Sequence, residues 1–295
     1  MSGRSRLALI AGLFVAGCLC GRAAPLPPVP VLSRVQWHGD GAWFGGFSGL
    51  AVAPDGAGFV AVNDRGWITG GRFTRDAAGR MTGVTAGPLR KMGGKAGRGL
   101  SPYLSDAEDL ARGPDGSLYV AFEGWVRVSR YAASEGPAVH LPRAPAFDDM
   151  DDNKALESLA IAPDGLVYAL PEWPLGGAYP LFRFDGAGWS APFSLPESGT
   201  FLPVSADFGP DGRLYLLERD ALIPVGFASR LRRFDWGPEG PSQGLVLAQT
   251  GFGVWDNVES VSVWRGPAGL VATLLSDDNF LPVQRTEFIE IALPD

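Results

Sequence analysis

The sequence predicts an all-β protein, a β-propeller of five four-stranded blades, and three observations carry that reading. An apolar strand, a Gly-bearing turn and a second apolar strand recur as a unit five times along the 295 residues. An alternating strand follows each unit, and in four of the five a further strand comes after a turn. The segment "VLSRVQW" at 31–37 reads as a strand with no neighbour, whereas the last unit ends one strand short. A ring closed by the N-terminal strand satisfies both loose ends at once.

The units are "FSGLAVAPDGAGFVAVNDRG" (47–66), "AEDLARGPDGSLYVAFEG" (107–124), "LESLAIAPDGLVYALPEW" (156–173), "SADFGPDGRLYLLERD" (205–220) and "VESVSVWRGPAGLVATLLSDD" (258–278). In the Pro-Asp-Gly turns of four units and the Gly-Pro-Ala-Gly turn of the fifth, Pro presets φ and Gly takes the positive φ, which makes each unit a β-hairpin. Asp55, Asp115, Asp164 and Asp211 are therefore turn residues. The third strands are "RFTRD", "WVRVSRY", "LFRFD", "RLRRFD" and "TEFIEIAL", and "GWSAPFSL" and "GLVLAQT" exemplify the fourth. A meander of about 50 residues repeated in this way is a propeller blade. Six blades would fit if one unit were degenerate. A β-sandwich of the same composition gives no reason for the fixed period. One domain is expected over 31–295.

The N-terminus reads as an export leader. Arg4 and Arg6 precede an apolar run from Leu7 to about Leu19, too short to span a membrane. Val15-Ala16-Gly17-Cys18 resembles a bacterial lipobox, so residues 1–18 are expected to be a lipoprotein signal and Cys18 the lipid-bearing N-terminus. Residues 19–30, Pro-rich, would be a stiff tether. Cleavage after Ala24 is the competing reading. Both cysteines, Cys18 and Cys20, lie in this leader, so no disulfide is expected in the folded body. The expected location is the cell envelope or periplasm, with membrane contact only through the lipid. A formal charge of −7 argues against nucleic acid as a partner. A monomer is expected.

Propeller strands alternate in direction, so the starts of first strands and the ends of second strands share one face, opposite the Pro-Asp-Gly turns. The second strands end in Asp64-Arg65, Glu123, Glu172, Glu218-Arg219 and Asp277-Asp278. The first strands begin with Ser48, Asp106 and Glu108, Asn153 and Glu157, Asp207, and Asn257 and Glu259. This predicts an acidic ring at one mouth of the channel. Adjacent carboxylates raise one another's pKa unless a cation intervenes, and an all-oxygen ligand set favours Ca²⁺, with Mg²⁺ or Mn²⁺ next. The loops at 89–99, 147–154, 172–180 and 279–286 belong to the same face. His38 and His140, the two histidines, are placed on outer strands, which disfavours zinc and a Ser-His-Asp hydrolase. Any chemistry then falls to a metal-bound water, with Arg65, Lys154, Arg219 or Arg285 holding an anionic group. The bland reading is that the acids are copied with the repeat and hold only strand ends or a structural ion. Trp37, Trp43, Trp67, Trp125 and Trp173 are expected to pack between blades.

"FSGLAV", "NDRG", "DAEDLA", "NKALESLAI", "LLERD", "NVESVSV" and the closing Ser276-Asp277-Asp278-Asn279-Phe280 with Gln284-Arg285-Thr286 resemble the phytase-like family, known as esterase-like activity of phytase. The likeness runs over about residues 44–292. It implies an exported bacterial propeller that hydrolyses phosphate or carboxylic esters, with calcium at the channel mouth. Carried over residue by residue, it marks Glu108, Glu123, Glu157, Glu172, Glu218, Arg219, Glu259, Asp277, Asp278 and Asn279. The fourth repeat departs, with Ala206-Asp207 where its sisters carry Glu-Ser or Glu-Asp. Joined to the residue reading, this predicts a metal-dependent phosphoester hydrolase. Glu108, Glu123, Glu157, Glu172, Glu218, Glu259, Asp277, Asp278 and Asn279 would be its ligands, Glu157, Glu259 and Asp278 would orient water, and Arg65, Lys154, Arg219 and Arg285 would engage the phosphate. A non-catalytic binding lipoprotein is the alternative, and a lactonase or carboxylic esterase on the same metal scaffold the third reading.

Overall fold

The computed structural model describes residues 29–41, 43–132, 136–150 and 155–294. The signal at 1–18, nearly all of the tether, Asn153 and Lys154 lie outside them. Among the described residues there is no α-helix, and five sheets of four strands make a five-bladed propeller.

Blade one is Phe47–Val52, Gly58–Asn63, Trp67–Arg75 and Met81–Ala86, and Arg90–Lys91 adds a short pairing to its third strand. Blade two is Ala107–Arg112, Leu118–Phe122, Arg127–Tyr131 and Val139–His140. Blade three is Leu156–Ile161, Val167–Pro171, Ala178–Phe184 and Trp189–Pro196. Blade four is Leu202–Phe208, Leu214–Leu222, Gly226–Phe234 and Leu245–Gln249. Blade five is Asn257–Gly266, Gly269–Asp277 and Glu287–Ala292, and Val31–Gln36 pairs antiparallel with the last of these. The orphan strand of the sequence therefore closes the ring. Arg34 adds a bidentate ion pair to Glu287 at 2.5 and 2.7 Å, and Ser33 donates to Glu290 at 2.8 Å.

The turn residues behave as their chemistry demands. Asp55, Asp115, Asp164 and Asp211 each accept the backbone N–H two residues on, at 2.9, 3.0, 3.0 and 3.3 Å. Their apolar flanks pack between blades. Among the described residues there are five core clusters, and each joins one pair of neighbouring blades: two with three, four with five, one with five, three with four, one with two. Trp37, just past the closing strand, stacks on Phe47 at 4.5 Å and lies 5.5 Å from Phe288, so closure of the ring also completes a core.

The five first strands surround the channel. Asp109 of blade two is fully buried and reaches two neighbouring blades. It accepts from the N–H of Leu159 in blade three at 2.8 Å, and from the N–H of Ala206 and Oγ of Ser205 in blade four at 3.2 and 3.1 Å. Ser205 Oγ in turn accepts from Val261 N–H of blade five at 3.1 Å. Burial raises the pKa of Asp109 well above the ordinary value, and its donors pull it back. These bonds link the inner strands of blades two, three, four and five between the acidic rim and the residues of the opposite end.

Candidate metal centre at the channel mouth

Each hairpin carries a β-bulge at the same place. The pairing slips by one residue between Phe47 and Gly49, Ala107 and Asp109, Leu156 and Ser158, Pro203 and Ser205, and Val258 and Ser260. The extra residues are Ser48, Glu108, Glu157, Val204 and Glu259. A bulge re-aims a side chain by bending its strand, and here it presents three glutamates to one another: the charges of Glu157 and Glu259 both act on Glu108. The residue following the partner of each bulge edge forms a second tier, Asp64, Glu123, Glu172, Arg219 and Asp277.

The frame corrects two sequence assignments. In blade four the second-tier residue is Arg219, and Glu218 occupies the place of Phe122 in blade two and Ser276 in blade five. Successive strand residues point to opposite faces, so Glu218 turns from the channel into the sheet. There it is fully buried and bonded by Arg230 Nε at 2.7 Å and by Arg232 Nε and Nη2 at 2.8 and 2.5 Å. It is not a ring ligand. Asp207 is not on this rim either: it sits two residues beyond Ser205, accepts from Val263 N–H at 2.7 Å and lines the opposite mouth.

Within the ring, Asp106, Glu108 and Glu123 offer oxygens that all lie within 4.8 Å of one another. Asp106 is hydrogen-bonded to Glu108 and Glu123 to Glu157. Two carboxylates meet in this way only by sharing a proton or a cation. Burial first, and neighbouring acids second, push the pKa of Glu108 and Glu157 well up and that of Asp64 to about 7. Burial also takes Glu123 to about 7 and, with Glu259 adding to it, Asp277 to about 9. Asp64 Oδ1 is buried with no hydrogen-bond partner. Clustered oxygen donors, an unpartnered buried oxygen and the absence of His or Cys from the group fit a hard divalent cation. Glu259 and Glu172 are less available, because Arg219 reaches across from blade four. Its Nη1 bonds Glu259 and, at 2.8 Å, Asn257 Oδ1, and its Nη2 lies 3.7 Å from Glu172. Desolvation lowers the Arg219 pKa, but Glu259, Glu157 and Glu172 more than reverse it.

The Ser-Asp-Asp-Asn-Phe stretch plays a holding part. Asp277 accepts Asn279 N–H at 2.8 Å, and Asp278 accepts Phe280 N–H at 3.0 Å, Gly46 N–H at 3.1 Å and Thr286 Oγ1 at 3.0 Å. These bonds hold Asn279 and Phe280 at φ of 48° and 53°, where non-glycine residues are strained. Gly45 is required opposite, since a Cβ there would meet Asp278 Oδ1 at 2.4 Å. The turn sets the Phe280 ring beneath Arg65, whose guanidinium lies 3.2 Å from the ring centre. Asn279 spends its amide on Gln284 at 2.9 Å, outside the ring, and Arg285 contacts Asp256 at 3.4 Å on the exposed rim.

Beside the ring lies a cavity of about 470 Å³ lined by Trp43, Trp67, Lys91, Asp64, Arg65 and Leu100, among others. Lys91 Nζ sits 4.7 Å over Trp67 and donates to Arg65 O at 2.6 Å. Trp37 packs as the sequence leads one to expect, but Trp43 and Trp67 face this cavity, and Trp125 and Trp173 are 37% and 44% exposed. His140 is on an outer strand as expected. His38 is not: it follows the closing strand and lines a neighbouring cavity with Arg65, Asp278 and Phe280. The sequence places Asp64 and Asp106 on the rim without marking them as ligands. Lys91 and the two tryptophans carry no motif, and their signal is only that they sit in the blade-one strand and loop nearest the ring.

No curated protein matches this chain. Among solved structures, the PQQ-bound aldose sugar dehydrogenase of Streptomyces coelicolor is 15% identical, with 90% of this chain and 100% of that one covered and a TM-score of 0.45. A gluconolactonase of Xanthomonas campestris is 15% identical over 83% and 72%, TM-score 0.47. A virginiamycin B lyase of Staphylococcus aureus is 10% identical over 89% and 99%, TM-score 0.45. These three, named for an oxidoreductase, a lactonase and a lyase, set no chemistry for this chain. Residues 42–280, which include all five bulges and both tiers of the ring, match the family model described as esterase-like activity of phytase, and the chain belongs to that phytase-like family.

Proposed function

We propose that the chain is a metal-dependent hydrolase of phosphate esters acting at the acidic mouth. The observation that supports it most is the Asp106, Glu108 and Glu123 group, whose oxygens lie within 4.8 Å of one another and raise one another's pKa unless a cation intervenes. These three would hold the ion, Ca²⁺ before Mg²⁺ or Mn²⁺, with Glu157 beside them. When bound, such an ion supplies Lewis acidity and a water of lowered pKa. The chain supplies the rest. Asp64 Oδ1, buried, unpartnered and on a group with pKa about 7, can take or give a proton at neutral pH. Arg65 and Lys91 line the adjoining cavity and would attract and orient an anionic phosphate. Lys154 and Arg285 remain candidates for a further phosphate contact, and Arg219 balances Glu259 and Glu172.

The test is metal analysis of the purified protein, followed by phosphate release from p-nitrophenyl phosphate and phytate with and without chelator. Bound calcium and chelator-sensitive release are expected. A metal-free protein with no turnover would defeat the reading and leave a non-catalytic binding module.

A carboxylic esterase or lactonase is the second reading, favoured by the Trp43 and Trp67 walls of the cavity, which suit a neutral apolar acyl or aryl group. Turnover of p-nitrophenyl acetate without turnover of the phosphate would select it. Export, a lipid anchor at Cys18, a periplasmic or envelope location and a monomeric state belong to the same proposal. Globomycin-sensitive processing of the leader in cells checks the anchor.

A further inference from the structure

At the opposite end of the channel, beyond Asp109, is a separate cavity of about 450 Å³. Most of its wall is apolar, with Leu50, Leu110, Phe208 and Trp264 contributing, and two guanidinium groups, Arg112 and Arg265, line it. Arg112 ends the first strand of blade two. The corresponding positions in blades one, three and four, read from the strand register, are Val52, Ile161 and Phe208. The repeat therefore puts an apolar residue here, and blade two alone of these four replaces it with a cation. A charged group loses hydration among apolar neighbours unless it is paired; Arg112 is half-buried, and its Nε is buried without a hydrogen-bond partner. The carboxylate on the same wall, Asp207, is already engaged by Val263 N–H at 2.7 Å and Ser262 Oγ at 3.3 Å.

We propose that this second mouth binds a small organic acid, its carboxylate on Arg112 and its apolar body against Phe208 and Trp264. A guanidinium offers paired donors in the plane a carboxylate presents. Burial holds the Arg112 pKa below its usual value, and Asp207, engaged elsewhere, does not offset it, which is the imbalance an anionic ligand removes. A concave, mostly apolar wall with a few convergent polar groups has the build of a small-molecule site rather than of a protein interface. The site is distinct from the acidic mouth, because its lining includes none of the ring residues.

Calorimetric titration of the whole protein with phenylacetate, its neutral amide phenylacetamide, and inorganic phosphate tests the proposal, with and without chelator. Phenylacetate is expected to bind in the millimolar range or better, phenylacetamide and phosphate at least about tenfold more weakly. Chelator is expected to leave the affinity unchanged. Arg112→Met is expected to abolish the binding and to fold with an unchanged or higher Tm, since no protein bond to Nε is lost. The proposal is overturned if phenylacetate gives no heat, if the amide or phosphate binds as well, if chelator removes the binding, or if a folded Arg112→Met variant keeps it.

Discussion

Glu123 of blade two and Glu218 of blade four look interchangeable in the repeat, each following an aromatic-aliphatic strand, yet they sit in opposite electrostatic worlds. Glu123 meets other carboxylates and has its pKa raised to about 7 by burial. Glu218 meets two guanidinium groups and is buried completely. One residue of frame separates them. The cost of the difference falls on blade four, which gives the mouth Val204 and Arg219 where blade three gives Glu157 and Glu172. The ring is therefore lopsided, with the room for a cation on the side of blade two and a built-in positive charge on the side of blade four.

The comparison can be broken by mutation, and the largest effect belongs to Glu218. Glu218→Gln leaves Arg230 and Arg232 buried against a neutral amide, and a loss of about 3–5 kcal/mol in urea unfolding is expected. Glu123→Gln should do the reverse in chelator, keeping or raising stability by relieving repulsion, while weakening calcium binding in calorimetry. If both variants lose stability equally, the two glutamates are not in different environments.

Arg219→Met sharpens the lopsided-ring picture at intermediate size. Removing the cation that holds Glu259 frees a carboxylate for the ion, and calcium affinity is expected to rise on the order of tenfold. The apo protein should become less stable.

A pH effect comes next. Asp64, Glu123 and Asp277 have folded-state pKa values of about 7, 7 and 9, above those of the unfolded chain. The folded state then holds more protons, so the stability these groups contribute is full below their unfolded pKa and is lost as pH rises through the folded values. In chelator, Tm should fall between pH 5 and pH 9; saturating calcium should flatten that fall. A Tm that rises over this window in chelator would contradict the acidic ring. The smallest effect is expected on the other face, where Asp164→Ala removes one exposed turn bond: Tm should drop about 1–2 °C, with calcium binding untouched.

The ring of blades was legible because its signals are local. Each Pro-Asp-Gly turn names its hairpin, and the unpaired segment at 31–37 names the closure, which the pairing of Val31–Gln36 with Glu287–Ala292 matches. The convergence of Glu108, Glu123, Glu157 and Glu259 on one mouth followed from strand direction alone. What the sequence hid was the bulge. One extra residue per first strand depends on a pairing slip that leaves no mark in composition, and without it the acid of "LLERD" matches the acid of "AFEG". Frame, rather than residue type, assigns Arg219 to the ring and Glu218 to the sheet. The roles of Asp278 and Asn279 were hidden for a related reason: a turn that bends through positive φ consumes its own side chains as props.

The clasp between Val31–Gln36 and Glu287–Ala292 has a consequence for the history of every molecule. The first strand of the body is stitched to the last strand of the ring, so a nascent chain carries an unmated sheet edge until Glu287–Ala292 has been made. That loop spans most of the chain and closes against a large entropy, and an open edge invites foreign strands meanwhile. The bidentate link of Arg34 to Glu287 is a latch that engages only after Glu287 has been made. A premature stop anywhere before Glu287 would leave the molecule without it, and aggregation rather than partial function is the fate such fragments should share.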